Sequence, residues 1–580
     1  MAPYRIKRLK PAEVMAAAEV REAAETDYRT HRLARTPAPA SVTAAAVGAS
    51  AAAGARDPWA PAVDTRATSS ADSHAHRQDH KRQRPAPSLP MSDPRDSRAL
   101  TAELGRARTL SELLSLQQRH GHRFCHFNLG AFWSKFKKLP RGELGGLRGP
   151  LAPVCELTVQ MLFELSARQL SNVAHAFAKA RLVGSGPWES VWTALPQAMH
   201  RRPDGFNAQD LSITVWAFAT AGLRAPALFE ALSAEAVRRG LGGFKEQDLS
   251  NTAWAFAKSG HEAPALFEAI SAEALRRGLR GFKEQELSNT AWAFAKSGHE
   301  APALFEAIST EAGRRGLGCF NPQNLSNTAW AFAKSGHEAP ALLDALSAET
   351  MRRGLGGFNP QDLSTTAWAF ATACHTAPEM FKTISAELLR RGLGSFNAQN
   401  ITNTAWAFAV LDPPSADALF STTCFSTRCA SLETSFSLEQ LTQLHQWSLW
   451  RKERRAPWPG LHESLRQACR NACFEEDGQP SRTQSEVVRE IRSRGFDVDE
   501  EQRCQISGYS LDALVVLNDG ERIAVEVDGP SHFIGRSHTP TGATQLKHRQ
   551  LRHFGWRLES VPYWEWDHSN ALPWLPRSSR

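Results

Sequence analysis

The sequence predicts an α-solenoid of 38-residue αα-hairpin repeats followed by a small α/β domain. Three observations predict it. Trp216, Trp254, Trp292, Trp330, Trp368 and Trp406 follow one another at a constant spacing of 38 residues (254 − 216 = 38). The words around them repeat as well, as in DLSNTAWAFAKSG, ELSNTAWAFAKSG and NLSNTAWAFAKSG. From about Ser481 the repeat is gone and a different periodicity takes over. A fixed period of this size means stacked supersecondary units, each unable to bury its apolar surface alone.

Local chemistry makes the units helical. In the fourth repeat, Asn321 and Pro322 supply an N-cap and a proline at the first helical position. Leu325, Ala329 and Phe332 recur on one helix face, and Gly336 ends the helix. A second helix starts at Ala339-Pro340 and stops at Arg352-Arg353-Gly354. Trp330 lies off the Leu325/Phe332 stripe, so the first helix has two apolar surfaces and needs neighbours on both sides. A propeller would need β-branched alternation, which Ala-rich words such as AWAFAK deny. A decayed copy, QLSNVAHAFAKA with His175 for the Trp, precedes the run, and LSELLSLQQRHGHRFCHFNLGAFWSKFKKL is read as a further relic.

The solenoid is therefore expected over 109–411 and a helical cap, FSLEQLTQLHQWSLWRKE, within 412–475. The α/β domain is expected over 481–568: a helix in SEVVREIRSRGF, a hairpin turned at Asp519-Gly520, a helix in TQLKHRQLRHFGW and a last strand in WRLESVPYWEWD. Residues 1–100, rich in Ala, Pro, Ser and Arg, are expected to be disordered, with a transit peptide at the start as an open reading. Acids such as Glu13 and Glu19 weigh against that peptide.

Composition narrows the function classes. Lys+Arg is 68 against Asp+Glu 60, a net charge of +8 that suits a polyanion. Nine cysteines without a C-x-x-C pair exclude a disulfide framework and a structural zinc site, and favour a reducing compartment. No run of about 18 apolar residues occurs, so no membrane span is expected.

The 38-residue units resemble octotricopeptide repeats, a family of organellar RNA-binding solenoids. The segment from about Gln484 to Asp567 resembles the RAP domain, through the words IAVEVDGPSHF, TQLKHRQLRHFGW and VPYWEWD. RAP domains also occur in FAST-kinase-like proteins. The resemblance implies binding of single-stranded RNA and a role in processing, maturation or stability of a mitochondrial or chloroplast transcript. Protein partners in an RNA-processing complex are implied with it. It also implies an α/β core of restriction-endonuclease-like type.

Solenoid readers assign surface positions of each repeat to a base, so six repeats predict a footprint of roughly six to eight nucleotides. Two polar sets change from repeat to repeat. Asp210, Asp248, Glu286, Asn324, Asp362 and Asn400 stand before the constant Leu or Ile, and Ile213, Asn251, Asn289, Asn327, Thr365 and Asn403 stand three residues on. The first set has helix capping as its other reading. Lys258, Lys296 and Lys334 would form a basic ladder for phosphates. The Arg pairs from Arg238-Arg239 to Arg390-Arg391 read either as a second ladder or as helix C-termini. His261, His299 and His337 need no functional explanation. A protein-interaction solenoid is the alternative from another class.

For the C-terminal domain the resemblance implies a nuclease constellation. Glu486 would be the helix acid, Asp512 and Glu526 the strand acids that hold Mg²⁺, and Asp528 stands where a Glu-x-Lys motif has its lysine. The hairpin turn pairs residues whose numbers sum to about 1039, which places Asp512 beside Glu526. Lys547 and His532 are candidates to supply the missing positive charge and a proton-transfer group. No cofactor is required if the fold serves RNA contact alone, with Lys547, His548, Arg549 and Arg552 facing phosphate.

Overall fold

The computed structural model describes residues 94–139, 148–475, 480–535, 537–569 and 572–575. The expected disorder and transit peptide lie outside the described residues up to residue 93. The boundary at residue 100 is corrected, because Pro94–Arg106 is a helix that buries Leu100 and Leu104.

The first helices of the regular repeats are Ala208–Ala221, Glu246–Ser259, Glu284–Ser297, Pro322–Ser335, Pro360–Thr372 and Ala398–Leu411. The second helices are Pro226–Arg239, Pro264–Arg277, Pro302–Arg315, Pro340–Arg353 and Pro378–Arg391. The caps follow the sequence chemistry. The Asn321 side chain accepts from the Asn324 amide at 2.8 Å, Pro322 opens the helix, and Gly336 closes it in the left-handed region at φ 68°. First helices pack closely on one another along their length, and second helices meet at fewer points. Leu325, Ala329 and Phe332 are all buried. Phe332 packs edge-on against Phe305 of the preceding second helix at 5.2 Å, and His337 sits against both rings at 5.7 Å. His261 and His299 contact Phe229 and Phe267 in the same way, so the turn histidines are packing residues.

A staple recurs at the end of each second helix. Glu311 accepts from Arg314 at 2.7 Å and from Arg315 at 2.5 Å. Arg315 also donates to the Leu279 carbonyl at 2.7 Å in the loop that opens its own repeat. Glu235, Glu273, Glu349 and Glu387 gather their Arg pairs in the same way. The second arginines are between 16% and 29% exposed. Of the two readings of the Arg pairs, this one carries the architecture: they close helix C-termini and loops.

The helix Leu438–Glu453 packs on Ala398–Leu411 as another first helix would, burying Trp447 and Trp450. Beyond it, β1 (Asp497–Arg503), β2 (Ser510–Val516), β3 (Arg522–Asp528) and β4 (Arg557–Pro562) form one sheet in that order. β1–β2 and β2–β3 are antiparallel and β3–β4 is parallel. Val487, Val488 and Ile491 of the helix Arg482–Ser493 pack on one face with Val515, Ile523 and Val525. β1 is a strand that the sequence pattern does not assign. The last element is corrected too: after β4 the words YWEWD begin the helix Tyr563–Ser569.

Candidate nucleic-acid interface and acidic site

On each first helix one stripe points away from the Leu/Phe face. In the third repeat it consists of Gln285, Asn289, Trp292 and Lys296, at helical spacings of four, three and four. The indoles run from repeat to repeat: Trp254 to Trp292 is 6.4 Å between centroids, Trp292 to Trp330 5.9 Å, Trp330 to Trp368 6.4 Å and Trp368 to Trp406 6.2 Å. Trp330 and Trp368 are half-buried and Lys296 and Lys334 are exposed. Lys258 is half-buried, its Nζ 5.5 Å from the centre of the Trp254 ring.

The two polar sets behave differently from a row of open base readers. Asp248 accepts from the Lys245 amide at 3.0 Å and from Ser212 Oγ at 3.0 Å in the preceding repeat. Glu286 caps the Lys283 amide at 2.8 Å, and Asp362 caps Asn359 and receives Ser326. Asn324 accepts from Ser288, while Asn400 caps Asn397 and donates to Ser364. Capping and inter-repeat bonding therefore engage the first set. Burial lifts the pKa of Asp248, Glu286 and Asp362 above the usual carboxylate range, partly offset by the amide hydrogen bonds. Asn251, Asn289, Asn327 and Thr365 are at most 7% exposed, in the seam between neighbouring first helices, and Asn403 is half-buried.

The more open member is a residue that variation between repeats does not pick out. Gln247, Gln285, Gln323 and Gln361 are the same residue in each of these repeats and are half-buried. Gln361 donates to Thr365 at 3.0 Å and accepts from Asn400 of the next repeat at 3.0 Å, so the row is continuous across that junction. Constancy at a partly exposed polar position was the available signal.

The C-terminal module abuts this layer. Gly535 lies against the Gly336 carbonyl and Gly542 against the Ala371 carbonyl, where a Cβ would come within 2.6 and 2.1 Å. Arg549 donates to the carbonyls of Ala409 and Val410 and to Glu453.

Inside the module the register pairs Ala513 with Val525, so Asp512 falls opposite Glu526 as the turn arithmetic required. Strand alternation turns Glu526 and Asp528 toward the helix Gly542–His553. Lys547 of that helix places Nζ 2.5 Å from Glu526 Oε2, and Asp512 accepts from the Val527 amide at 2.7 Å. Asp528, fully buried, receives His532 Nδ1 at 2.7 Å and Ser560 Oγ. His548 Nε2 stands 3.5 Å from Asp528, and His532 is 40% exposed.

The electrostatics follow. Burial pushes the Glu526 carboxyl up against the pull of Lys547, and it does the same to Asp512. For Asp528, burial is outweighed by the hydrogen bonds of His532 and Ser560 and the field of His548, so its pKa falls. Burial opposes the charge on Lys547, yet Glu526 and Asp512 more than offset it and its pKa rises.

Residues 525–571, which hold Glu526, Asp528 and Lys547, match the family model described as the RAP domain. The chain carries a RAP domain. Within the repeats, residues 302–328 and 380–404 match a model described as a protein of unknown function, DUF1601. A curated relative, the chloroplastic RAP domain-containing protein of Oryza sativa subsp. japonica, is 37% identical over 107 residues. That match covers 18% of this chain and 16% of the relative.

Three sequence candidates in the RAP domain sit elsewhere than expected. Glu486 pairs with Arg482 at 2.8 Å, which holds its carboxyl below the usual range, and Trp566 adds a hydrogen bond. The helix residue that reaches Asp512 is Gln484, which donates to the Asp512 carbonyl at 3.0 Å and to Glu501 at 2.7 Å. His548 turns inward to Asp528 and Arg549 to the solenoid, leaving Arg552 of the expected phosphate face exposed. Glu501, in the left-handed region at φ 52°, and Ser510 complete the polar cluster unannounced by any motif.

These residues do not fit a Mg²⁺ site. Among the described residues, no group of three or more His, Cys, Asp and Glu side chains could hold a metal ion. One Glu526 oxygen faces Lys547, and the helix acid is replaced at the cluster by a neutral amide.

Proposed function

We propose that this protein binds single-stranded RNA along the first-helix layer of its repeats and acts in the processing, maturation or stability of an organellar transcript. The observation that carries the reading is the stripe of Gln and Trp repeated every 38 residues beside the RAP domain, completed by Asn and Lys in the three repeats that hold Lys258, Lys296 and Lys334. Amides bond base edges and sugar hydroxyls, the half-buried indoles of Trp330 and Trp368 offer stacking surface, and Lys258, Lys296 and Lys334 supply charge for phosphates. In this reading Asn251, Asn289, Asn327, Thr365 and Asn403, with Asp248, Glu286, Asn324, Asp362 and Asn400 beneath them, set the shape and hydrogen-bonding of the surface that the glutamines present. The compartment is an organelle, mitochondrion or chloroplast. The name of the rice relative, a chloroplastic protein, supports the second. Protein partners in an RNA-processing complex belong to the same proposal.

The test is filter binding of the full chain to a randomised single-stranded RNA 30-mer, against the same RNA as a duplex and across a salt series. Preference for the single strand, with affinity falling steeply as salt rises, is expected. Equal retention of both forms, or binding insensitive to salt, overturns the reading and returns the stack to the protein-interaction class.

A further inference from the structure

Lys547 enters the acidic cluster from the helix Gly542–His553, outside the strand on which a Glu-x-Lys motif would carry its lysine. We propose that the Lys547 ammonium is the resident cation of this RAP domain, held where a divalent ion would have to bind, so that the cluster is built to work without metal.

The ligand inventory argues for it. Glu526 is 1% exposed and gives Oε2 to Lys547 at 2.5 Å. Asp512 gives Oδ2 to the Val527 amide. Asp528 is engaged by His532, Ser560 and His548. From the helix side comes Gln484, aiming N–H donors at the Asp512 carbonyl and at Glu501, where a metal site needs oxygen ligands. Mg²⁺ keeps several waters when it binds, and a carboxylate as buried as Glu526 has little contact with water.

The charges argue for it as well. Asp512 and Glu526 face each other across the hairpin, and two adjacent carboxyls repel unless a cation or proton lies between them. An ammonium satisfies that need with one charge and three N–H donors, and it travels with the fold. Lys547 keeps a quarter of its side chain exposed while its Nζ turns into the cluster toward Glu526. One atom remains over: Glu526 Oε1 is buried without a hydrogen-bond partner. Removing the lysine would leave that buried carboxyl without its cation, to be destabilising or to take up a proton.

The inference is independent of RNA binding and is tested without RNA. Full-length protein, stripped with EDTA, is titrated with MnCl₂ and followed by electron paramagnetic resonance, and its thermal midpoint is taken in EDTA and in millimolar MnCl₂. Wild type is expected to take up no stoichiometric Mn²⁺ and to melt at the same temperature in both. Lys547→Met is expected to melt lower in EDTA and in MnCl₂ alike. Lys547→Met/Glu526→Gln, which removes both charges, is expected to recover without metal. One equivalent of Mn²⁺ on wild type, lost in Asp512→Asn, overturns the proposal. So does a Lys547→Met protein that is as stable as wild type in EDTA. If that variant does not fold, the wild-type titration and the double variant decide.

Discussion

Arg315 donates Nη1 to the carbonyl of Phe282 at 2.5 Å, tying the end of its second helix to the loop from which its repeat began. The bond spans almost one full repeat, and Arg353 makes it again to Phe320 and Arg391 to Phe358. Arg428 makes it to Phe396 at 2.8 Å, beyond the last regular repeat. Stability of a stacked array sums the intrinsic stability of each repeat and the terms between neighbours, and this bond belongs to the first. Arg315→Ala is therefore expected to cost about 2 kcal/mol, the scale for hydrogen bonds to a charged group. Arg314→Ala, exposed by half and bonded to Glu311, is expected to cost clearly less than Arg315→Ala, because solvent screens its pair. Chemical denaturation of the two variants checks the contrast, and equal losses would refute it.

The same staple sets an acid limit. Hydrogen bonds from Arg238, Arg276, Arg314, Arg352 and Arg390 hold Glu235, Glu273, Glu311, Glu349 and Glu387 at about 2, against an ordinary value of 4.5. Burial works the other way, and the second arginines add to the lowering. A folded pKa below the unfolded one gives stability that is complete above the unfolded value and is lost as pH falls toward the folded value. The thermal midpoint should therefore drop between about pH 4.5 and 2, and less steeply in Glu311→Gln. A midpoint flat over that window would remove the staple from the account.

How much of this was legible depends on what a contact needs. The Trp period and the caps specify the repeat because each is local to one hairpin, and the turn at Asp519-Gly520 fixes the Asp512–Glu526 register for the same reason. The depth of Asn289 was not legible, because a helix pattern does not say how near the next helix lies. Glu486 and Gln484 are both polar on one helix, and contact with the sheet alone decides which reaches Asp512. β1 is an edge strand whose DVDEEQR word carries the charge that edges tolerate, so neither propensity nor alternation marks it.

Gly542 is a point of close packing between the RAP domain and the solenoid. Gly542→Ala would set a methyl 2.1 Å from the Ala371 carbonyl and 2.9 Å from Val410, which only a shift of backbone can relieve. Overpacking of this kind costs about 1–3 kcal/mol. The variant is expected to release the RAP domain under limited proteolysis sooner than wild type. Gly529→Ala, with nothing within 4 Å of its new Cβ, is the control and should digest like wild type.

The last prediction separates phosphate contacts from amide contacts on the stripe. Lys296 and Lys334 are exposed at the ends of their first helices, so each is a candidate to displace counterions from RNA. Lys296→Gln and Lys334→Gln should each lower the slope of log K against log salt by about 1. Gln285→Ala and Gln323→Ala remove neutral hydrogen bonds, so each should weaken binding by about 1 kcal/mol and leave the slope alone. Arg314→Ala, on the far helix layer and bonded within the staple, should change neither. Filter binding over a salt series reads all five variants together. A slope change in Arg314→Ala with none in the lysine variants would move the RNA to the second-helix face.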